Sequence, residues 1–571
     1  MLNRRSFFVF GSAALASCTR SRDYLGSTAP PSSQRLVFAL GEPPSLDPAQ
    51  STNTWEVYVI PALFEGLTQV HPELPDPMAA LATHYKSSRD QTRFTFYLRG
   101  HASPCGKHLP EYADLPGRFT RGRKAASVSQ PALWSDGTVI TAHDFVYSWR
   151  RFVEPATAAP FAYQFFCIKN AEEVYSGRRA PSELAVRALD TFTFDVELRS
   201  PTPFFLRLIT QWLFAAVPRQ AIQKAGPAWT EPRHIVTSGP FTLRAWRRHE
   251  ALTLVKDHRY YDRDLVALDE LTFYSADDET TTVNLYKAGS VAAMTGLNLP
   301  ALLDPLLSQK RDYHVEPAFA VIVAAMNTRR PPFNQVLLRY ALNMATNKKA
   351  VTGFLAGGRI PASSIVPHLG GYAGPARLPI DIDGRTYDVL AFDPEGARAL
   401  FSRAAGTTKV EFTYHFANST TLREVAEILQ REWESALNVR VNLAARENNV
   451  HWKMVLDGDY SGAAYFAIQP GYMDPTPFFD PFLTSNANPS AWADTDFTAK
   501  LSEANVMLFS EQRMQKLAQC EESLLTAMPV LPMYFDTWRY LMKPYVRGLS
   551  CNAFDLRVFK YVWIDTDWRP A

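Results

Sequence analysis

Five cysteines are the first candidates for chemistry in this chain of 571 residues: Cys18, Cys105, Cys167, Cys520 and Cys551. No two of them make a C-x-x-C pair, so a zinc or thiol-redox centre has no local framework. In an oxidising compartment the last four allow up to two disulfides in any of three pairings, and four unpaired thiols fit the sequence equally well. His249-Glu250 opens like a zinc-protease motif, but no second histidine follows at helical spacing. The chain has neither a G-x-S-x-G elbow to expose a nucleophilic serine nor a G-x-x-x-x-G-K-[ST] loop to cradle phosphates. Nothing here asks for a cofactor or a metal, and the reading is of a protein that is not an enzyme. An exported hydrolase with a carboxylate pair drawn from distant parts of the chain is the weaker alternative.

Cys18 has a different chemistry in view. MLNRRSFFVFGSAALASC joins a cationic start (Arg4, Arg5) to an apolar run from Phe7 to Ala16 and then to small residues. That is an export signal, too short to span a bilayer. Leu15-Ala16-Ser17-Cys18 is similar to a lipobox, in which cleavage leaves Cys18 as a lipidated N-terminus, and Arg4-Arg5-Ser6-Phe7-Phe8 is similar to a twin-arginine signal. Residues 1–18 are therefore expected to be a signal peptide, and 19–33, rich in Ser, Pro and Thr, a flexible tether. The expected location is the periplasmic or cell-envelope side, with a lipid anchor through Cys18. The 59 basic residues nearly balance 57 acidic ones, which argues against a nucleic-acid partner. With 46% hydrophobic and 13% aromatic residues, the chain can bury large cores.

The elements that must hold any site read as α/β. In 191–198 (TFTFDVEL) apolar residues alternate strictly, the mark of a strand with one buried face. Val410, Phe412, Tyr414 and Phe416 alternate in another strand. A helix over 422–437 follows, with Val425, Ile428, Leu429 and Trp433 on one face, and then a strand through Val439, Val441 and Leu443. This is a βαβ unit, which implies parallel strands. A helix over 334–345 is expected to start from an Asn334 cap. WSDGTVITAHDFVYSWRRFVEP (134–155) encodes a turn at Ser135-Asp136-Gly137, a capping box from Thr141 to Asp144, an apolar face through Trp149, and a stop at Pro155. Residues 101–132, polar and locally basic, read as a solvated surface insertion or a partner contact.

That last helical stretch, with its neighbours in order, resembles the extracellular oligopeptide- and dipeptide-binding proteins of ABC importers, solute-binding family 5. Glu42-Pro43-Pro44-Ser45-Leu46-Asp47-Pro48 and Leu63-Phe64-Glu65-Gly66-Leu67 are similar to its opening motifs. Ser238-Gly239-Pro240-Phe241-Thr242-Leu243, Tyr260-Tyr261 and Pro331-Pro332-Phe333-Asn334 are similar to its middle. Pro532, Lys543-Pro544 and Gly548 are similar to its end. The resemblance implies a two-lobed periplasmic-binding-protein clamp (type II, cluster C) with an extra subdomain in the first lobe. Lobe I would hold 34–75, 214–318 and 537–571; the subdomain 76–213; and lobe II 319–536. It also implies a peptide or peptide-like ligand taken up by hinge closure, ABC permease subunits as membrane partners, and action as a monomer. A sensor lipoprotein of the same fold for a non-peptide ligand is the alternative. The ligand-binding residues it points to are Thr54, Trp55, Tyr163, Thr295, Tyr465, Ile468, Gln469, Pro470, Gly471 and Asp536.

The sequence departs from the family at one place that matters for chemistry. Relatives carry a segment resembling G-W-x-A-D-Y before a D/E-P turn, its aspartate pairing with a peptide's ammonium group. Here 465–475 reads YFAIQPGYMDP: Asp474-Pro475 keeps the turn, but Gly471, or Pro470, stands where the aspartate would be. Ala320-Val321-Ile322-Val323-Ala324-Ala325 replaces a tyrosine-rich strand. The expectation is a less charged, more apolar cleft, with Asp536 as a conceivable compensating acid.

Overall fold

Leu36, Phe38 and Leu40, two residues apart, put apolar side chains on one face of an extended segment, and Arg35–Leu40 is the first strand, β1. The computed structural model describes residues 23–570, apart from 52–54, 75, 112–113, 124, 277, 297–298, 300–302, 370 and 484–487. The chain divides into two compact units. Among the described residues, the larger unit takes in 23–299, 306–316 and 538–570, and the smaller takes in 303–305 and 317–537.

In the larger unit, β2 (Ala82–Ser87), β3 (Arg93–Leu98), β4 (Lys107–His108), β5 (Val186–Asp190) and β6 (Thr193–Glu197) form an antiparallel sheet in the order β4-β2-β3-β6-β5. The helix α1 (Ala142–Val153) packs on β5 and β6. Its start is the capping box read from sequence: Thr141 N–H donates to the Asp144 carboxylate at 2.7 Å. Trp149 on its apolar face is fully buried, edge-on to Phe194, and its indole N–H donates to the Phe214 carbonyl at 3.1 Å. The one-sided burial expected of 191–198 is not what forms. Asp195, on the supposedly wet face, is buried as well, because Arg93 and Arg187 each donate to its carboxylate at 2.9 Å.

A second sheet of this unit has the order β10-β1-β9-β8-β7, from β7 (Phe241–Arg247), β8 (Ala251–Lys256), β9 (Glu270–Ser275) and β10 (Ala293–Thr295). In it β1 runs parallel to both β9 and β10, while β8 is antiparallel to its two neighbours. The 101–132 insertion is not simply solvated. Leu109, Leu115 and Phe119 are buried, the last two in a cluster with Met78, Leu265 and Tyr561.

The N-terminal stretch also differs from expectation, since from Asp23 onward it is not a free tether. Leu25 is buried; its N–H donates to the Asp312 carboxylate at 3.0 Å and its carbonyl accepts from the Lys543 ammonium at 2.8 Å. Ser27 N–H donates to the Lys287 carbonyl at 2.8 Å. Gly26 between them has φ +75°, and a side-chain carbon there would stand 2.2 Å from the Lys287 carbonyl oxygen. Only glycine fits this approach.

The strand β11 (Tyr313–Met326) carries the chain into the smaller unit. There β12 (Val410–Ala417), α2 (Thr420–Ala436) and β13 (Val439–Arg446) make the expected βαβ unit, with parallel register from Val410↔Val439 to Ala417↔Arg446. Val425, Leu429 and Trp433 are the buried face of α2. β14 (Ala463–Ile468) lies parallel to β12 and antiparallel to β11. α3 (Glu511–Ala527) precedes β15 (Val530–Met542), which returns the chain to the larger unit. The helix expected from 334 covers Val336–Met344, with Gln335 rather than Asn334 at its N-cap. Cys105, Cys167, Cys520 and Cys551 are all unpaired thiols.

Candidate functional site

The smaller unit brings Tyr465 and Asp536 into one cluster. Tyr465 sits mid-strand on β14, opposite Ala324 of β11, and its carbonyl lies 3.0 Å from His451 Nε2. A carbonyl only accepts, so that nitrogen carries the proton. Asp536, on β15, is ion-paired with Arg359, its carboxylate 2.9 Å from Nε, while Arg359 also lies 3.9 Å from the buried Asp304 carboxylate and 5.9 Å over the Tyr534 ring. Burial raises the Tyr465 hydroxyl well above the ordinary phenol range, and the Asp536 charge adds to this while Arg359 opposes it. Burial raises Tyr534 in the same way, with Tyr465 and Asp536 adding. Burial works against the Arg359 charge, but Asp536, Tyr534 and Asp304 outweigh it and hold the guanidinium protonated. The arrangement offers protonated phenols and an arginine–carboxylate pair. It can donate and accept hydrogen bonds, and it holds no activated nucleophile.

Beyond Tyr465 the chain runs off β14 through Ile468 (buried), Gln469 (exposed), Pro470 (buried) and Gly471 (half-buried). It is then fixed by Asp474, whose two oxygens each take a guanidinium N–H of Arg513 at 2.8 Å, with both side chains wholly buried. Arg513 also donates to Thr476 Oγ1 and the Ala504 carbonyl, at 3.0 Å each. The Asp-Pro turn is thus clamped from within. The apolar run 320–325 on β11, expected to make the cleft more apolar, is buried throughout.

In the larger unit the expected residues do not form one group. Thr54 lies outside the described residues. Trp55 is half-buried at the start of the helix Glu56–Leu63, with its ring against Gly41, where a side-chain carbon would come within 2.3 Å of it. Tyr163 is 58% exposed on the turn Ala162–Phe165. Thr295 is fully buried at the end of β10, opposite Tyr540, and its hydroxyl has no hydrogen-bond partner among the described residues. The Tyr540 ring stacks on His314 at 4.8 Å and lies 4.3 Å under the Arg557 guanidinium, which is ion-paired with Asp555. Near Arg557 is a cavity of about 60 Å³, lined also by Gly66, Thr68, Gln69 and Trp212. That is room for a few water molecules. Among the described residues no group of three or more His, Cys, Asp or Glu side chains could hold a metal ion.

Sequence reasoning missed Arg359, Tyr534, Asp304 and Arg513. Each belongs to the site only through tertiary contact, and local periodicity carries no trace of that. Tyr465 and Asp536, the latter flagged as a conceivable acid, are the predicted residues that pointed toward the cluster.

The mixed α/β architecture is that of the periplasmic binding proteins. The murein tripeptide-binding protein MppA of Escherichia coli superposes with a TM-score of 0.75 at 25% identity, covering 94% of this chain and 99% of that one. Residues 130–490 match the model for bacterial extracellular solute-binding proteins, family 5 (middle). The chain belongs to this family, whose members are non-enzymatic transport components. In sequence it is 29% identical to the periplasmic oligopeptide-binding protein OppA of Salmonella typhimurium, over 90% of each chain. It is 27% identical to YgiS of Escherichia coli, described as a probable deoxycholate-binding periplasmic protein, over 90% of this chain and 89% of that one. Among the described residues no helix is long and apolar enough to cross a membrane.

Proposed function

We propose that this protein is the ligand-capturing component of an ABC importer, taking up peptides or peptide-like compounds whose amino terminus is not recognised as a free ammonium group. It is anchored in the envelope by a lipid on Cys18, closes its two lobes on the ligand as the family resemblance implies, and hands the ligand to permease subunits. Tyr465, Ile468, Gln469, Pro470, Gly471 and Asp536, with Thr54, Trp55, Tyr163 and Thr295, are the proposed contact residues.

The observation that supports this reading is the fate of charge around 468–474. Gly471 and Pro470 bring none, Asp474 is committed to Arg513, and Asp536 is committed to Arg359. A desolvated ammonium deprived of its partner costs about 2–5 kcal/mol, so a ligand presenting one gains little here. Calorimetry with tri- to pentapeptides and their N-acetylated forms tests the point. The expected outcome is that acetylation leaves affinity unchanged or improves it, whereas tight binding abolished by acetylation would refute the reading. The likeness to a probable deoxycholate-binding protein favours a second ligand class, amphipathic non-peptide acids, and these belong in the same titration panel.

A further inference from the structure

The docked N-terminus limits how this protein can stand on a membrane. Leu25 is held by its own backbone between two buried charged side chains, Asp312 and Lys543, and Asp312 also accepts from Tyr286 Oη at 2.7 Å. Just before it, Tyr24 packs edge-on to Trp568 with ring centroids 5.6 Å apart, and Arg311 lies 5.1 Å over the Tyr24 ring. Arg311 N–H donates to the Asp23 carbonyl at 3.4 Å. The segment from Asp23 onward is therefore part of the larger unit's surface. Cys18 precedes Asp23 by five residues. Five residues at full extension span about 17 Å.

A lipid on Cys18 would thus hold this particular patch of the larger unit close to the headgroups, and the patch suits that position. Tyr24 and Trp568 are half-buried aromatic side chains, and Arg311 and Arg569 are exposed cations. The short helix Asp304–Leu307, just before Lys310 and Arg311, presents Leu306, which is 54% exposed. Asp23 and Asp567 are the exposed acids in the same stretches, beside the exposed Arg311 and Arg569 and the half-buried Lys310. Aromatic rings with an apolar body and a polar tip, flanked by Arg and Lys, are what bilayer interfaces select. Such cations also gain from anionic headgroups.

We infer that the face made by Tyr24, Lys310, Arg311, Trp568 and Arg569 rests on the bilayer surface, held there by the short link from Cys18. The inference rests on the lipid anchor proposed above.

The test uses the full chain, lipidated in its host and reconstituted into vesicles of phosphatidylethanolamine and phosphatidylglycerol. Mass spectrometry of the N-terminal peptide comes first, and an unmodified Cys18 would remove the anchor and with it this inference, leaving ligand capture untouched. With the lipid present, amine-reactive footprinting should show Lys310 labelled several-fold more slowly than in the unanchored Cys18→Ser chain beside the same vesicles. The exposed Lys224 should react equally in both. A second variant inserts twenty Gly/Ser residues after Thr19, a link whose root-mean-square length is about 25 Å. It should restore Lys310 labelling while the protein stays vesicle-bound. Equal Lys310 labelling of anchored and unanchored chains would overturn the inference. So would protection that survives the longer link, or protection that requires a permease in the vesicle, which would assign this face to the transporter instead.

Discussion

Asp474 shows how one residue type serves two different ends. A carboxylate beside the segment proposed to face the ligand could meet a ligand's cation, but here it is spent inside the fold on Arg513, 39 positions later in the chain. The pair is fully buried and has good geometry, so its loss leaves a guanidinium without its counter-ion in a dry interior. Asp474→Asn is expected to destabilise the smaller unit by about 3–5 kcal/mol, read as a shift in the urea midpoint with unchanged slope. A change below about 1 kcal/mol, the value of an exposed pair, would show that the site is wetter than its burial implies. The turn itself was legible in the sequence, since Asp-Pro announces one. The arginine was not, because Arg513 sits on a helix whose local pattern gives no sign of a partner so far away. The same holds for Asp536. Its acidity was visible, but its commitment to Arg359 was not, and that commitment decides whether it can serve a ligand.

At the scale of elements, what the sequence declares locally is largely what forms. The Thr141–Asp144 box starts α1, and alternation followed by a 3.6-residue period and alternation again gives β12-α2-β13. Where tertiary charge or packing intervenes, the local pattern misleads: Asp195 is buried beneath two exposed arginines, Phe119 pulls the 101–132 insertion onto the larger unit, and Leu25 ends the tether early. The helix α3 carries a further case. Glu521 on it is buried, with its carboxylate accepting from Ile365 N–H at 2.6 Å, Val366 N–H at 3.0 Å and Tyr372 Oη at 2.6 Å. These donors favour the charged form, yet burial outweighs them and pushes the carboxyl up to about 7. The unfolded chain releases this proton near pH 4.3. Between those values the folded state binds more protons, so Glu521 lowers stability as pH rises from about 4.3 to about 7. By linkage the effect amounts to about 4 kcal/mol across that window. Urea denaturation at pH 5 and pH 7.5 should therefore show the wild-type chain losing more stability with rising pH than Glu521→Gln. Parallel profiles for the two proteins would mean that the three donors keep Glu521 ionised throughout.

For the whole molecule, the grouping of 303–305 with 317–537, and of 306–316 and 538–570 with the rest, is invisible to any local reading. Hydrophobic period identifies a strand but not its partner, so the sequence offered this organisation only through its likeness to a family. The division has a thermodynamic consequence. Each unit carries its own buried charges: the Asp474–Arg513 pair in the smaller, and Asp312 and Lys543, each bonded to the Leu25 backbone, in the larger. Two compact units need not unfold in one step. Calorimetry of the ligand-free protein is expected to resolve two transitions, each answering to its own mutation. For a unit the size of the smaller one, about 3 kcal/mol corresponds to roughly 6–12 °C in midpoint. Asp474→Asn should lower one transition by about that much and leave the other in place. Lys543→Met, which strips the Leu25 carbonyl of its donor and Asp312 of a neighbouring charge, should lower the other transition alone. A single transition moved by both variants would show that β11 and β15, the strands that carry the chain between the units, couple them into one cooperative block. In that event a lesion in either unit would be felt as loss of the whole protein.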